Sequence, residues 1–542
     1  MKDKWALVSV FDKKGVTDDA RRLVKMGWNI ISSGGTANAL KEAGIPVKDV
    51  AELVGGGAIL GHRVVTLSRE VHAGLLADAL KPADLAELVS LNIPFIDLVR
   101  CDFYPLGKAI DDPMATINSV VEKTDIGGPC MVRSGAKGLR IVVCRQQDME
   151  SVLRELEQAG AVCAVNRQKL RARAEFVVAE YVGSSAMFHG DGQFKVIAGE
   201  KIATPAYGEN GWQSPAGLFS TGTADPLALE NFAVIGDSPL SYNNFCDLDR
   251  LLQYLTHISV AWRKNNWVAP AVMVGVKHGN ACCASVGDLD DPLDTVSRAV
   301  TGDTRAIFGG LVMCNFGVTE QIATALITAG MSEGNTQKFD GVIAPCFEDG
   351  AIELLARKRG KCRVVMNSRL SLALCQLDTT PRFRQVRGGF LVQPNYTFVP
   401  SFFGDSDLTT LASVPLSAFC LMNMALAWAI GAHSNSNTIT IVANNRLIGN
   451  GVGQQDRVGA AELAIQRAID AGHKKELCGA VAYSDSFFPF PDAVEVLIRA
   501  GIQAIFCTSG SVNDKAVQGL CALKQVALVQ LPDKEARGFY GH

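Results

Sequence analysis

Short apolar runs alternate along the chain with segments whose apolar residues recur every three to four positions. Near the N-terminus the order is 6–10 (ALVSV), 16–26, 28–32 (WNIIS) and 37–43, which reads as strand, helix, strand, helix. That alternation predicts an α/β fold with stacked β-α units on mostly parallel sheets, and it argues against a sandwich or a helical bundle. No internal repeat or low-complexity tract is visible. Glycine, proline and polar residues cluster over 190–208, in FHGDGQF and TPAYGENG, between two periodic regions. This predicts an N-terminal domain over 1–193 and a C-terminal region over 194–542 large enough for two lobes. The apolar stretch 5–11 is too short for a signal-peptide core. The longest apolar run, 418–432, is interrupted by Asn423 and falls short of the ~20 residues a membrane span needs. The expectation is a soluble cytoplasmic protein with no membrane partner.

Composition narrows the partners. A chain of 542 residues with a formal net charge of -3 carries no basic footprint, so no nucleic-acid partner is expected. Its 15 cysteines include no C-x-x-C pair, and no two histidines share helical ligand spacing. Neither a disulfide framework nor a metal site is indicated.

Several glycine-rich segments carry candidate chemistry. SSGGTA, 32–37, follows one strand and opens a helix, where hydroxyls, backbone N–H groups and the helix dipole can meet an anion. A turn that only caps the helix explains the same residues. TDIGGP (124–129) and RSGAKG (133–138) add Asp125, Arg133 and Lys137 around another such turn, and together the segments favour a phosphorylated small molecule. GNGVGQQDR, 449–457, has G-x-G-x-G spacing and no acidic residue placed for a ribose, so it is not read as a dinucleotide loop. SDSFFPFPD, 484–492, packs three phenylalanines and two prolines between acids, either lining a pocket or plugging a core. VGVKHGNACC, 274–283, sets Lys277 beside His278 directly after a strand, as a proton-transfer pair or as a histidine satisfied by packing.

Taken in order, SSGGTA, CDFYP, TDIGG, GAKG, LSYNN, VKHGN, IFGG, VRGGFLVQ, SNSN, GQQDR, SDSFFPF and RGFYGH match the series found in one family. Across essentially its whole length the chain resembles the bifunctional purine-biosynthesis enzymes that combine aminoimidazole-carboxamide ribotide transformylase with inosinate cyclohydrolase. The resemblance implies an N-terminal cyclohydrolase domain with a methylglyoxal-synthase-like open parallel sheet. It also implies a C-terminal transformylase of two cytidine-deaminase-like lobes, without zinc, working as a homodimer with 10-formyltetrahydrofolate as formyl donor.

Residue by residue, the resemblance assigns formyl transfer to Lys277, His278 and Asn437. The acceptor amine is a poor nucleophile because its lone pair is delocalised, so a neutral imidazole that takes its proton and an ammonium that meets the developing charge suit the reaction. Phe487, Pro489, Phe490 and Asp492 match the folate and substrate pocket, Asp340 a carboxylate that meets folate, Arg457 and Arg537 arginines near the ribotide, and Tyr207 a substrate contact. For ring closure, Ser33, Gly34, Gly35 and Thr36 would hold phosphate beside Arg63 and Thr66, with Tyr104, Asp125 and Lys137 around the reacting centre. The departures are specific. Where the family reads R-V-K-T-L-H-P the chain reads RVVTLSR, so a lysine is Val65; a family serine is Phe11, a family asparagine is Gly138, and a family arginine is Ala206. The first three predict a weakened cyclohydrolase, and Ala206 predicts a weaker hold on the ribotide. The alternatives are the same scaffold with one inactive site or an altered ribotide, or a non-catalytic ribotide or folate sensor.

Overall fold

The computed structural model describes residues 3–61, 63–356, 361–371, 376–404, 407–412 and 415–540, so the last two residues of the RGFYGH motif lie outside it. The chain divides into two compact units, Met1–Ala198 and Gly199–His542. The division falls after the expected 193 because the segment beyond the long helix Ala164–His189 folds back onto it, with Phe194 against Gly190 and Val196 against Gly183.

In the first unit five parallel strands, β1 (Lys4–Ser9), β2 (Trp28–Ser32), β3 (Lys48–Asp49), β4 (Ile96–Cys101) and β5 (Ile141–Val143), form a sheet ordered β3-β2-β1-β4-β5. Alternation along β1 sends Ala6 and Val8 into one core with Leu23, Val152 and Leu153, and Leu7 into another with Val71, Val132 and Val178. Both faces are therefore covered by helices, as a parallel sheet requires.

Gly138 ends the helix Gly127–Lys137 against a neighbouring chain segment, and a Cβ there would stand 1.8 Å from the carbonyl oxygen of Leu75. The family asparagine cannot be restored here without moving backbone. Gly138→Asn is expected to destabilise this unit by about 1–3 kcal/mol or more through overpacking. The check is the urea midpoint of the unit's transition.

In the second unit β6 (Glu200–Ala203) and β7 (Leu218–Ser220) pair as a ribbon, and β8 (Ala233–Ile235) leads into the main sheet. Then come β9 (Ala271–Lys277), β10 (Asn280–Gly287), β11 (Leu311–Cys314), β12 (Gly341–Ala344) and β13 (Arg363–Met366), preceded by the helix Tyr242–Lys264. After a second ribbon, β14 (Arg382–Val386) with β15 (Gly389–Gln393), and the short β16 (Thr409–Leu411), the sequence of elements recurs. The helix Ala418–Gly431 precedes β17 (Ile439–Ala443), β18 (Arg446–Gly451), β19 (Val481–Ser484), β20 (Ala504–Ser509) and β21 (Ala527–Pro532). The 12-stranded sheet runs β16-β21-β20-β19-β17-β18-β10-β9-β11-β12-β13-β8, so the two lobes are arranged alike and join where Ser285 of β10 faces Arg446 of β18. The arrangement of the second unit thus repeats within it, although no repeat is visible in its sequence. What the lobes share is strand order and turn geometry, which many side chains satisfy.

The apolar run at 418–432 is a core helix, buried around most of its circumference. Its interrupting polar residue is used: Asn423 accepts the N–H of Asn445 at 2.7 Å and donates to the carbonyl of Phe419 at 3.0 Å. Among the described residues no helix is long and apolar enough to cross a membrane.

Two histidines, His257 and His433, lie fully buried in this unit with ring centres 3.9 Å apart. Burial holds His257 down at about 4, partly offset by two facing carbonyls, and burial and then the neighbouring histidine push His433 well below its ordinary value. The unfolded chain therefore binds more protons than the fold between the ordinary histidine value and these lowered ones. Stability from this pair is complete above the unfolded value and is lost as pH falls below about 6.5 toward 4. The second unit is expected to unfold at progressively lower urea concentration across that window, with His257→Gln flattening the slope.

Candidate active sites

In the first unit a cavity of about 1170 Å³ opens at the C-terminal ends of the parallel strands, where open α/β sheets place their ligands. Ser33, Gly34, Gly35 and Thr36 line it at the start of the helix Gly34–Glu42. Gly34 has φ +52°, in the left-handed region that suits glycine, and this turns the loop so that the helix N-terminus faces the cavity. The expected hydroxyls are not all available. Ser32 donates to the carbonyl of Val8 at 2.7 Å, and Thr36 donates to that of Val10 at 3.0 Å while accepting the Val10 N–H at 3.2 Å. Both lock the loop to β1, so an anion is left with backbone N–H groups and Ser33.

Lys13, which the motif reading did not single out, supplies a cation. It lines the same cavity, stands 3.8 Å from where a Cβ of Gly35 would project, and donates to the carbonyl of Val10. Burial lowers its pKa, opposed by Asp102. Asp102 accepts the N–H of Phe11, and burial raises its carboxyl above the ordinary value.

Tyr104 and Asp125 meet at this cavity, with Arg63 and Thr66 on its rim. Asp125 accepts the N–H of Gly128 at 2.9 Å and gives its own N–H to the hydroxyl of Tyr181 at 2.7 Å, so it also caps the helix that follows. Gly128 has to be glycine: a Cβ would stand 2.5 Å from the Asp125 carboxylate. Burial raises the Asp125 carboxyl, while backbone N–H groups oppose that shift. Arg63 pairs with Glu122 at 2.7 Å, both of them largely solvated. Lys137 is not brought to the cavity. It ends the helix that Asp125 caps, and 11 residues of helix separate the two ends by roughly 15 Å. The substituted positions do reach it: Val65 lines the wall, and Phe11 packs edge-on against Tyr104 with ring centres 5.5 Å apart.

In the second unit the β9–β10 connection is a two-residue turn made by His278 and Gly279, with φ of 53° and 75°. Positive φ at both positions defines the type I′ hairpin, which glycine meets freely and histidine only at a cost of about 1–2 kcal/mol. Asp247, on the helix Tyr242–Lys264, holds the turn by accepting the N–H of Gly279 at 2.8 Å. Burial raises its carboxyl; the backbone N–H groups of the turn and the His278 ring oppose that. On the flanking strand, Lys277 donates to the carbonyl of Phe308 at 2.8 Å, beside Gly310, whose carbonyl accepts the Asp340 N–H at 3.0 Å.

From the turn a continuous chain of hydrogen bonds crosses to the other lobe. Asn280 accepts the N–H of Asn435 at 3.1 Å, and the Asn435 carbonyl accepts that of Gly453 at 2.8 Å. The Asn437 backbone and side-chain amides both donate to the Gln454 carbonyl, at 3.1 and 3.0 Å, across a cis Ser436–Asn437 peptide. Thr438 donates to the fully buried Asp485 at 3.1 Å, and Arg457 reaches Asp485 at 2.6 Å and the Phe487 carbonyl at 2.7 Å. Arg537 pairs with Asp533 and lies 6.0 Å from the Phe487 ring centre.

Lys277, His278, Asp340, Asn437, Arg457, Phe487 and Arg537 thus belong to one connected region, although they are spread over 261 sequence positions from 277 to 537. Arg457 is committed to Asp485 and to the loop backbone, so it shapes the wall. In SDSFFPFPD the rings divide: Phe488 is 1% exposed in the core and Phe490 is 59% exposed. The Pro489 carbonyl accepts from Asn513, and Asp492, the first residue of its helix, accepts the N–H of Ala493 at 2.8 Å. Tyr207 is exposed on the 204–216 loop. Asp247 and Asp485 escaped the motif reading because an acid inside a helix or a strand-end loop has no diagnostic spacing.

The similarities to known proteins cover nearly the whole chain. Residues 137–467 match the model of the AICARFT/IMPCHase bienzyme family, and 15–130 match that of the MGS-like domain. The chain is 33% identical over 519 residues to a "Bifunctional purine biosynthesis protein PurH" of Trichormus variabilis, covering 94% of this chain and 95% of that protein. A protein of the same description from Anoxybacillus flavithermus is 33% identical over 525 residues, at the same coverage of 94% and 95%. A solved chain described as the crystal structure of ForH is 32% identical over 35% of this chain and 100% of its own, with a TM-score of 0.31.

Proposed function

Since the chain belongs to the AICARFT/IMPCHase bienzyme family, we propose that it formylates 5-aminoimidazole-4-carboxamide ribotide and closes the product to inosinate. The formyl donor is a folate, 10-formyltetrahydrofolate in this reading, and the working form is a cytoplasmic homodimer. The observation that carries the proposal is the hydrogen-bonded chain joining the His278 turn to Asn437, Gln454 and the Phe487 loop. A sensor needs a pocket but not a lysine and histidine held on a clamped turn beside it.

In the first reaction the ribotide's amine attacks the formyl carbon as the His278 imidazole takes its proton. The bond from that carbon to the folate nitrogen then breaks, and the nitrogen leaves with a proton. Lys277, fixed by one bond to the Phe308 carbonyl, keeps its remaining N–H groups for the developing negative charge. Asn437 has its amide nitrogen on Gln454, which leaves its oxygen to accept from the carboxamide.

Ring closure is intramolecular and gains most of its rate from orientation. The Ser33–Thr36 loop with Lys13 would hold the phosphate, and Tyr104 and Asp125 would face the reacting atoms. Val65 and Phe11 in the same cavity support a second reading, a cyclohydrolase slower than the transformylase. Incubating the purified full chain with the ribotide and 10-formyltetrahydrofolate, and following formylated ribotide and inosinate separately, tests both. No formylated product would end the first reading, and no lag before inosinate would end the second.

A further inference from the structure

The helix Tyr242–Lys264 carries Arg250 to the catalytic turn. One edge of its guanidinium is anchored, with Nη1 donating to the carbonyls of His433 at 2.8 Å and Tyr540 at 3.3 Å. One face is covered by the Tyr540 ring, whose centre lies 3.9 Å away. The other edge is unspent: among the described residues Nη2 and Nε meet no protein acceptor. Nη2 stands 3.7 Å from where a Cβ would project from Gly279, the residue after His278.

The neighbouring carboxylates are already engaged. Asp249 takes both Nη atoms of Arg382, at 2.9 and 3.3 Å, and Asp247 holds the turn. Among the described residues Arg250 is therefore a mostly buried cation with no carboxylate of its own, kept in place by carbonyls and a ring. A guanidinium stays charged at neutral pH, and burying one without a counter-ion is costly unless an anion arrives. Its free edge presents paired N–H donors, the geometry that grips a phosphate. The loop carrying Ala206, where the resembling family has an arginine, is tied to the same helix two turns earlier, through Asn243 donating to the Glu209 carbonyl at 3.3 Å.

We infer that Arg250 binds the phosphate of the ribotide in the transformylase site, supplying the charge that position 206 lacks. This rests on the transformylase reading above. The test compares the carboxamide ribotide with its riboside, which lacks the phosphate, in the unaltered protein, Arg250→Gln and Arg250→Lys. Both kcat/KM for formyl transfer and direct calorimetric binding are measured. Arg250→Gln is expected to lower kcat/KM and affinity for the ribotide roughly tenfold to a hundredfold, with the riboside unchanged. Arg250→Lys, which keeps a charge but loses the fork, should show a smaller loss confined to the ribotide, and it decides the matter should the glutamine variant not fold. Equal losses on both substrates, or none on the ribotide, would overturn the inference. Binding of ribotide without transfer by the unaltered protein would count against the transformylase reading alone, and Arg250 would then be judged on affinity.

Discussion

His278→Ala is expected to cut formyl transfer by about 10²–10⁴-fold while ribotide affinity stays close to that of the unaltered protein. The imidazole is asked to move a proton during attack, so its loss should appear in kcat and leave ground-state binding alone. Alanine at a turn position with φ 53° adds some backbone strain, so stability has to be measured beside activity. His278→Asn is the companion variant, since asparagine tolerates that conformation and cannot serve as the base. Single-turnover formylation by both, with calorimetric binding, decides the role. Near-normal turnover in the asparagine variant would exclude proton transfer by this residue.

Val65→Lys is expected to raise inosinate formation from isolated formylated ribotide by tenfold or more. One preorganised charge aimed at a developing oxyanion is commonly worth about 10²–10³ in rate, and Val65 occupies cavity wall where such a charge would act. The side chain packs at the edge of the apolar cluster around Val71 and Met131, so the lysine stem has an apolar surface to follow while its ammonium enters the cavity. Fast closure by the unaltered protein, with no gain from the lysine, would mean that Lys13, Asp102 and Tyr104 already do the work. Phe11→Ser in the same background tests whether the ring packed on Tyr104 restrains it.

Strand and helix alternation at the N-terminus was legible because a sheet buried on both faces writes itself as apolar runs between periodic helices, as in 6–10 and 28–32. The Ser33–Thr36 loop and the His278 turn were legible as motifs. What the sequence hides is commitment. Thr36 and Arg457 have the right chemistry for ligands, yet each is bonded to its own scaffold, and only geometry reveals that. Lys137 shows the converse limit, since a residue in the right motif can still sit at the far end of a helix. Asp247 and Arg250 act through space on a turn some thirty residues away, a distance no local pattern encodes.

The two lobes of the second unit carry an experiment already performed. The hairpin between β17 and β18 turns through Asn444 and Asn445, with φ of 53° and 56°, and Asn445 gives its N–H to Asn423 on the helix before it. The hairpin between β9 and β10 has the same shape, and Gly279 gives its N–H to Asp247 on the corresponding helix. One copy is made of two amides, with Asn444 donating to Glu476 at 3.3 Å and accepting from Arg298 at 2.8 Å; the other has a carboxylate beneath it and carries a histidine beside a lysine. The asparagine copy is a built-in control, showing the same turn formed with no histidine in it and with an amide in place of the carboxylate beneath. The architecture left one corner of a twinned scaffold free to become chemistry while its sister went on being structure.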